Sequence, residues 1–519
     1  MKKMKLQFLF LAVVVITVFF HADNIYSADH INKDTIIQYV DIDANNDKNP
    51  EFKVSLYNTR SDVKYVVQAP YISKYTYMTS KIYKLIQYKN GKKTGYVNLT
   101  LKSLSDNNNW MFFINYYSDE DNIKLKYDIK AYTNPSNLDI LTFPNQNGKY
   151  VLKRQKASSK VTLSNKVTYL ESAKRYVKFG ETISARGLGS TVCEIYKLKA
   201  DNVLTKSKDG FNSQTTINSI AKREIRGNWL LSVNPMVDWG HKTAFNTMLK
   251  MDFETGTIFF SDGVYRENMY NYVPRSSSVK TYFKNPAGLQ VRACKWVLDK
   301  GSLFKTVGVY SMYAFADSIG KNGYVPTQPM SEWLKKDFNI GYNFYDTRFN
   351  SDTMTSLLYI YKDYPDKYVL NKMNKYISFY KNYYKTKQYK VGKAIFVPDY
   401  MDISGKNKIN PTSLNHFIAE TEVMFLYYNL TGDKESHKIA LEMLNSIKLT
   451  SSKWIRPNGD LWYRVTPQGV YKTNDYPLVT YNDLVFFKYI LKDVEGKIPA
   501  EIEKMYQSKE KWAKNQGFL

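Results

Sequence analysis

The rhythm of apolar and polar positions changes near the middle of the chain. From about residue 29 to 211 the dominant period is two, the signature of half-buried strands. Lys81–Lys89 and Tyr96–Leu104 are β-rich runs flanking Asn90-Gly91, a hairpin signal with a predicted loop of more than two residues. Trp110–Tyr117 and Ile123–Ile129 repeat the pattern across Ser118-Asp-Glu-Asp-Asn122. That acidic loop lacks the spacing of a twelve-residue calcium loop and reads as a solvated turn. Asn147-Gly148 marks a further turn.

Beyond about residue 217 apolar residues recur at steps of three and four. Helices are predicted over Leu303–Ile319, Thr347–Tyr361 and Lys367–Tyr384, and two more over 413–430 and 433–448. The first of this last pair places Phe417, Thr421, Met424 and Tyr428 on one face; the second places Ala440, Met443, Leu444 and Ile447 together. Gly432-Asp433 between them is a C-cap and N-cap pair, which predicts an antiparallel helix hairpin. A last helix is expected to open at Asp475-Tyr-Pro477.

The expected fold class is therefore α+β. A signal segment (1–28) precedes an all-β module, sandwich or barrel, over 29–215, and an α/α toroid follows over 216–519. An irregular helical bundle is the alternative for the last part. The signal expectation rests on Lys2, Lys3 and Lys5 before an apolar run from Phe8 to Phe20 that is too short for a comfortable membrane span. It implies a secreted or cell-surface protein, with an uncleaved anchor as the variant.

Composition narrows the partner. With 74 basic and 48 acidic residues the formal charge is +26, which favours an anionic polymer. No finger, arginine-rich helix or RNA-binding signature points to nucleic acid. Abundant, dispersed lysine explains the charge equally well. Two cysteines, Cys193 and Cys294, do not make a disulfide framework, and no Cys/His cluster has metal spacing. Neither cofactor nor metal is expected, and homodimerisation is left open.

Candidate chemistry gathers in the polar runs that interrupt the helical half. These are Val397-Pro-Asp-Tyr400, Asn410-Pro-Thr-Ser-Leu-Asn-His416, Arg456-Pro-Asn-Gly-Asp-Leu-Trp-Tyr-Arg464 and Leu478-Val-Thr-Tyr-Asn-Asp-Leu484. Tyrosines, amides and arginines at loop ends suit a polar, anionic ring such as a uronic acid. Residues 390–490 resemble the C-terminal helical domain of the D-glucuronyl C5-epimerases. The carboxylate–tyrosine pair matches Asp399-Tyr400, the Pro-to-Asn segment matches Pro411–Asn415, and the glycine turn with its tyrosine matches Asn458–Arg464. The last tyrosine matches Tyr481. Asn482-Asp483 depart from the His-containing run of the animal enzymes, and Arg464 follows Tyr463 directly, so Trp462 is an alternative at the tyrosine position.

The resemblance implies inversion at C5 of a glucuronyl residue, with Tyr463, Tyr481 and Tyr400 as catalytic candidates. Proton transfer falls to Tyr463 and Tyr481, while Tyr400 and Asp399 position the sugar. Removing a proton next to a carboxylate builds negative charge on that carboxylate, which Arg348, Arg456 or Arg464 would stabilise. Asn415, His416, Asn482 and Asp483 complete the expected binding set. A surplus of positive charge is expected to lower the phenol pKa values toward neutrality.

Each residue also has a bland reading. Among 45 tyrosines, packing is the usual role of any one, and His416 or Asn415 would serve as a cap. Trp239 and His241 would make a sugar platform or close the β-to-α junction, and a solvated face would explain at least one of Glu420 and Glu422. Three other functions compete: a polysaccharide lyase, a non-catalytic binder of anionic polysaccharide, and a glycoside hydrolase. The hydrolase would draw a carboxylate pair from Asp346, Asp399, Asp402, Asp460 and Asp483.

Overall fold

The computed structural model describes residues 34–188, 192–253, 256–269, 271–287 and 293–519. The expected signal segment lies outside them. Among the described residues no helix is long and apolar enough to cross a membrane.

Two antiparallel sheets build the N-terminal half. The smaller orders Thr35–Ile42, Phe52–Asn58, Lys124–Tyr132, Gly210–Asn218, Asp201–Ser207 and Lys160–Leu163 side by side. The larger centres on Arg223–Ser232, which pairs along its whole length with Asn109–Ser118. Strand structure therefore continues past the expected boundary at residue 215, reaching Thr281–Lys284. The inner faces of the two sheets enclose one core, where Trp229 stacks on Phe112 and Tyr127 with ring centroids 5.7 and 5.0 Å away.

The strand Asn109–Ser118 shows why its sequence is almost continuously apolar. Trp110, Phe112 and Ile114 enter the core between the sheets, whereas Met111 and Phe113 enter the core shared with the helices. Successive side chains leave a strand on opposite faces, and here both faces are covered.

The hairpin at Asn90-Gly91 is tighter than expected. The strands extend to Met78–Lys89 and Lys92–Leu104, with Lys89 opposite Lys92, so the loop is two residues long. Positive φ at Asn90 (50°) and Gly91 (76°) matches the twist such a turn requires. The acidic loop after Ser118 holds its own charges: Asp119 accepts from the Tyr117 hydroxyl, Glu120 pairs with Lys89, and Asp121 accepts from the Ala221 amide.

The helices are α1 (Lys242–Phe253), α2 (Ser302–Ser318), α3 (Glu332–Phe338), α4 (Thr347–Tyr361), α5 (Lys367–Lys387), α6 (Leu414–Thr431), α7 (Lys434–Trp454), α8 (Val479–Glu495) and α9 (Ala500–Asn515). They form a two-layer arc. In the inner row α2, α4, α6 and α8 pack in succession; α5, α7 and α9 lie outside them. Burial follows the layers, since α6 is buried around nearly its whole circumference while α7 and α9 keep a polar face. Gly432 (φ 75°) ends α6, and Asp433 caps α7 through the Ser436 amide, as the sequence predicts.

Several expectations resolve into structural roles. Trp239 donates to Glu171 at 2.8 Å and packs on Tyr169, while His241 Nδ1 accepts from the Ala244 amide at the start of α1, so both close the β-to-α junction. Neither Glu420 nor Glu422 is solvated: α6 has no outward face, and both are buried. Glu420 instead accepts from Tyr376 and Tyr345 at 2.7 and 3.1 Å. Cys193 and Cys294 are both free thiols, and burial raises them to about 11 and about 12.

Candidate functional site

A short two-residue strand pair gathers the first part of the site. Tyr345-Asp346 runs antiparallel to Tyr400-Met401, which sets Asp346 opposite Tyr400 at the start of α4. Asp346 caps that helix by accepting from the Phe349 amide at 3.0 Å. Asn410, fully buried, pins the Tyr400 backbone from both sides: its side chain accepts from the Tyr400 amide and donates to the Tyr400 carbonyl.

A second element supplies the opposite wall. Thr412-Ser413 pairs with Trp462–Val465, so that Ser413 lies opposite Arg464 and next to Tyr463. Ser413 is the N-cap position of α6, yet its hydroxyl is given to Asp399. The Asp399 carboxylate accepts from the Ser413 amide at 2.8 and 3.0 Å and from the Ser413 hydroxyl at 2.5 Å. His416, one turn into α6, lies 3.7 Å from Asp399 and 2.8 Å from the Thr347 hydroxyl.

Aromatic rings surround Tyr400. Trp333 of α3, Phe344 and His416 have ring centroids 6.1, 6.0 and 5.6 Å from it. Arg464 lies 5.6 Å above the Trp333 ring and donates to the Thr473 hydroxyl. The strand-rich half contributes Tyr272, whose ring is 6.2 Å from Phe344, and Arg266, 4.7 Å above the Phe349 ring.

Burial dominates the electrostatics of this cluster. It pushes the Asp346 carboxyl up to about 7, against the pull of the Phe349 and Arg348 amides and the Arg266 charge. It pushes Asp399 up to about 8, with Asp346 adding to the rise while Ser413 and Arg464 oppose it. His416 is held well below its ordinary value by burial and by the Arg348 charge, and is neutral at pH 7. The phenols move opposite to expectation: burial first, then the neighbouring phenols and carboxylates, drives Tyr400 and Tyr272 well above their ordinary range. Tyr463 rises too, through burial and Asp399, with Ser413 partly offsetting it. Arg266 pulls Tyr272 down, but burial outweighs it, and these hydroxyls are proton donors rather than ready bases.

The candidates from the sequence divide. Tyr400, Tyr463, Asp399, His416 and Arg464 share the cluster. Tyr481 does not join them; its ring stacks on Tyr506 of α9 at 5.6 Å, toward the outer layer. Arg348 is consumed by Asp352 and by a two-point pair with Asp483 at 2.6 and 2.9 Å, and it also donates to the Asn415 carbonyl. Both Arg348 and Asp483 thus serve to tie α4 to α8. Arg456 is likewise held by Asp460 at 2.9 Å and lies over Trp462. Asn415 is buried with its side-chain oxygen unpartnered, and Asn482 is exposed on the first turn of α8. Of the carboxylates offered for hydrolysis, Asp346 and Asp399 lie together, whereas Asp402 binds the Gly341 amide and Asp460 binds Lys509.

Trp333, Tyr272, Arg266, Ser413 and Asn410 escaped the sequence reading. Only Ser413 and Asn410 carried a signal, as part of the polar run before α6. Among the described residues no group of three or more His, Cys, Asp or Glu side chains is arranged to hold a metal ion.

No protein-family profile matches the chain, and no curated protein matches its sequence. In structure it is similar to a family 76 glycoside hydrolase from a bovine Bacteroides thetaiotaomicron strain, at 10% identity and a TM-score of 0.37 over 78% of this chain and 75% of that one. It is also similar to the cellobiose 2-epimerase of Bacillus thermoamylovorans, at 11% identity and a TM-score of 0.33 over 45% and 60% of the two chains. A bacterial glucoamylase complexed with acarbose gives 13% identity and a TM-score of 0.26 over 89% and 60%. The match thus spans three fifths of the length of the last two. Likeness at this level assigns no activity.

Proposed function

We propose that the Tyr400–Tyr463–Asp399 cluster is the catalytic centre of a carbohydrate-acting enzyme, a C5-epimerase of uronic-acid residues in an anionic polysaccharide. One observation carries the reading: Arg464, without a carboxylate partner among the described residues, stands beside phenols and two carboxyls that titrate near neutrality. The guanidinium takes the uronate carboxylate and stabilises the charge that grows there as the C5 proton leaves.

The phenols are protonated at neutral pH, so the base is drawn from the carboxyl pair. Burial raises both Asp346 and Asp399, and Asp346 adds to the rise of Asp399; with values of about 7 and about 8 the pair is partly protonated at pH 7, which is the poise a general base needs. Tyr463 then delivers a proton to the opposite face of the ring, leaving a phenolate. Asp399 restores it through the Ser413 hydroxyl, which bonds Asp399 at 2.5 Å. The ring's lost and gained protons balance, and no bond of the polymer is cut. Trp333 and Tyr400 offer the aromatic floor on which a sugar ring packs.

The same carboxyl pair favours a second reading, hydrolysis of a glycosidic bond with one carboxyl as acid and the other as base. Product analysis on heparosan, polymannuronate and polygalacturonate decides. An epimerase changes the C5 configuration without new reducing ends; a hydrolase makes reducing ends; a lyase makes an ultraviolet-absorbing double bond. Unchanged products on every uronate polymer would overturn the epimerase reading.

A further inference from the structure

The strand-rich half enters the site with more than a supporting role. Its strand Gly263–Glu267 carries Arg266, and Tyr272-Val273 pairs antiparallel with Met330-Ser331 immediately before α3. The Asn271 carbonyl accepts from the Glu332 amide at 3.0 Å, so the strand region is stitched to the helix that presents Trp333. Below the junction Tyr272, Phe283, Phe344 and Phe349 form one buried apolar cluster, with Tyr400 and Trp333 packed on it. Arg266 is half-buried at the edge of that cluster.

Its guanidinium is unusual in this chain for what it lacks. Among the described residues every arginine except Arg223, Arg266 and Arg464 is ion-paired with a carboxylate. Arg223 lies in the strand-rich half, stacked on Tyr196. The other two come from the two halves of the chain: Arg464 lies above Trp333, whose ring neighbours Tyr400, and Arg266 lies above Phe349, in the buried cluster on which Trp333 and Tyr400 pack. A half-buried guanidinium resting on an aromatic face keeps its fork of N–H donors turned to an edge, ready for a planar anion. Asp346 and Asp399, the nearby acids, are buried; Asp346 feels the Arg266 charge and Asp399 the Arg464 charge, but among the described residues neither forms an ion pair with them.

We propose that Arg266 is an anion-binding residue of this site, so that the ligand presents acidic groups to both halves of the chain. The inference rests on the functional reading above and sharpens it. A substrate with a single acidic group would need only Arg464; two guanidinia, one from each half and both resting on rings of one aromatic cluster, select a chain whose acidic groups repeat along its length.

The test is calorimetric binding to the full-length protein and to its R266Q and R266K variants. The probes are oligosaccharides of heparosan and of polymannuronate, each beside its carboxyl-reduced counterpart. Wild type is expected to prefer an acidic probe to the reduced one. R266Q should weaken the acidic probe about 10- to 100-fold and leave the reduced one unchanged, the scale of a charged hydrogen-bonding pair. R266K, which keeps the charge but not the planar fork, should recover part of the loss; it also supplies the comparison if circular dichroism shows R266Q unfolded. Wild-type preference for the acidic probe with R266Q and R266K binding as wild type would overturn the role of Arg266 alone. Equal wild-type binding of acidic and reduced probes would overturn the uronate reading and this inference with it.

Discussion

Changing Lys509 to methionine tests how the wall bearing Tyr463 and Arg464 is held. The Lys509 ammonium, on α9, is completely buried, donates to Asp460 at 2.6 Å and to the Tyr476 carbonyl at 2.9 Å, and forms an ion pair with Asp475 at 2.8 Å. Asp460 is also gripped by Arg456, and these contacts bracket the strand Trp462–Val465 on both sides. Methionine keeps the unbranched stem and removes the charge. Asp460 keeps Arg456, but Asp475 keeps only the Thr480 hydroxyl bond, at 2.8 Å. Breaking a buried pair by removing one partner costs about 3–5 kcal/mol, against a whole-domain stability of about 5–15 kcal/mol.

Urea unfolding of K509M should therefore show an unfolding free energy lowered by that amount, read as a lower midpoint at an unchanged slope. Burial already raises the Asp475 pKa despite Lys509, and losing the cation raises it further. A carboxyl raised in the folded state contributes stability that is present below its unfolded pKa and lost as pH rises through its folded value. The K509M deficit should thus shrink as pH falls from 7 to 4. K509M/D475N removes the orphaned charge and should recover at least half of the loss. A K509M cost below about 1 kcal/mol, or further destabilisation by D475N, would refute the reasoning.

Three further outcomes are expected. Y463F should lower turnover on the polymer about 100-fold or more, the scale of one lost proton-transfer group, while Y481F, stacked on Tyr506, should stay within about threefold of wild type. Asp346 and Asp399, raised to about 7 and about 8, contribute stability that is full below the ordinary carboxyl pKa and declines through pH 7 and 8. Melting temperatures from pH 5 to 9 should show that decline, and D399N should flatten it. Lys102 borders a cavity of about 70 Å³ between Asp262 and Asp317, and burial lowers its amine to about 8. Mass spectrometry after brief amine labelling at pH 8 should find Lys102 modified ahead of the surface lysines.

What the sequence revealed follows the range of the forces involved. The α6–α7 hairpin was legible because its cap residues, Gly432 and Asp433, and its apolar spacing act within a few residues of where they stand. The site was half legible. Asp399, Tyr400, Ser413 and Tyr463 lie in short runs whose backbones meet through adjacent strand pairs. Arg348 and Asp483 looked available because nothing local shows that residues so far apart bind each other. Tyr481 precedes Leu484 and Val485 by three and four positions, but Leu484 is buried and Val485 is 44% exposed. The ring therefore sits at the edge of the helix's buried face, where Tyr506 takes it. Arg266 had no signal at all, since its place depends on how the larger sheet docks against α3 and α4.

The central claim is proton exchange at C5 of a uronate by the cluster around Tyr463. It is tested most directly by nuclear magnetic resonance of uronate polymers incubated with the protein in deuterated water. The account predicts deuterium at C5, inverted residues, no chain cleavage, and loss of exchange in Y463F. No deuterium at C5 in any uronate polymer, or exchange undiminished in Y463F, would contradict it.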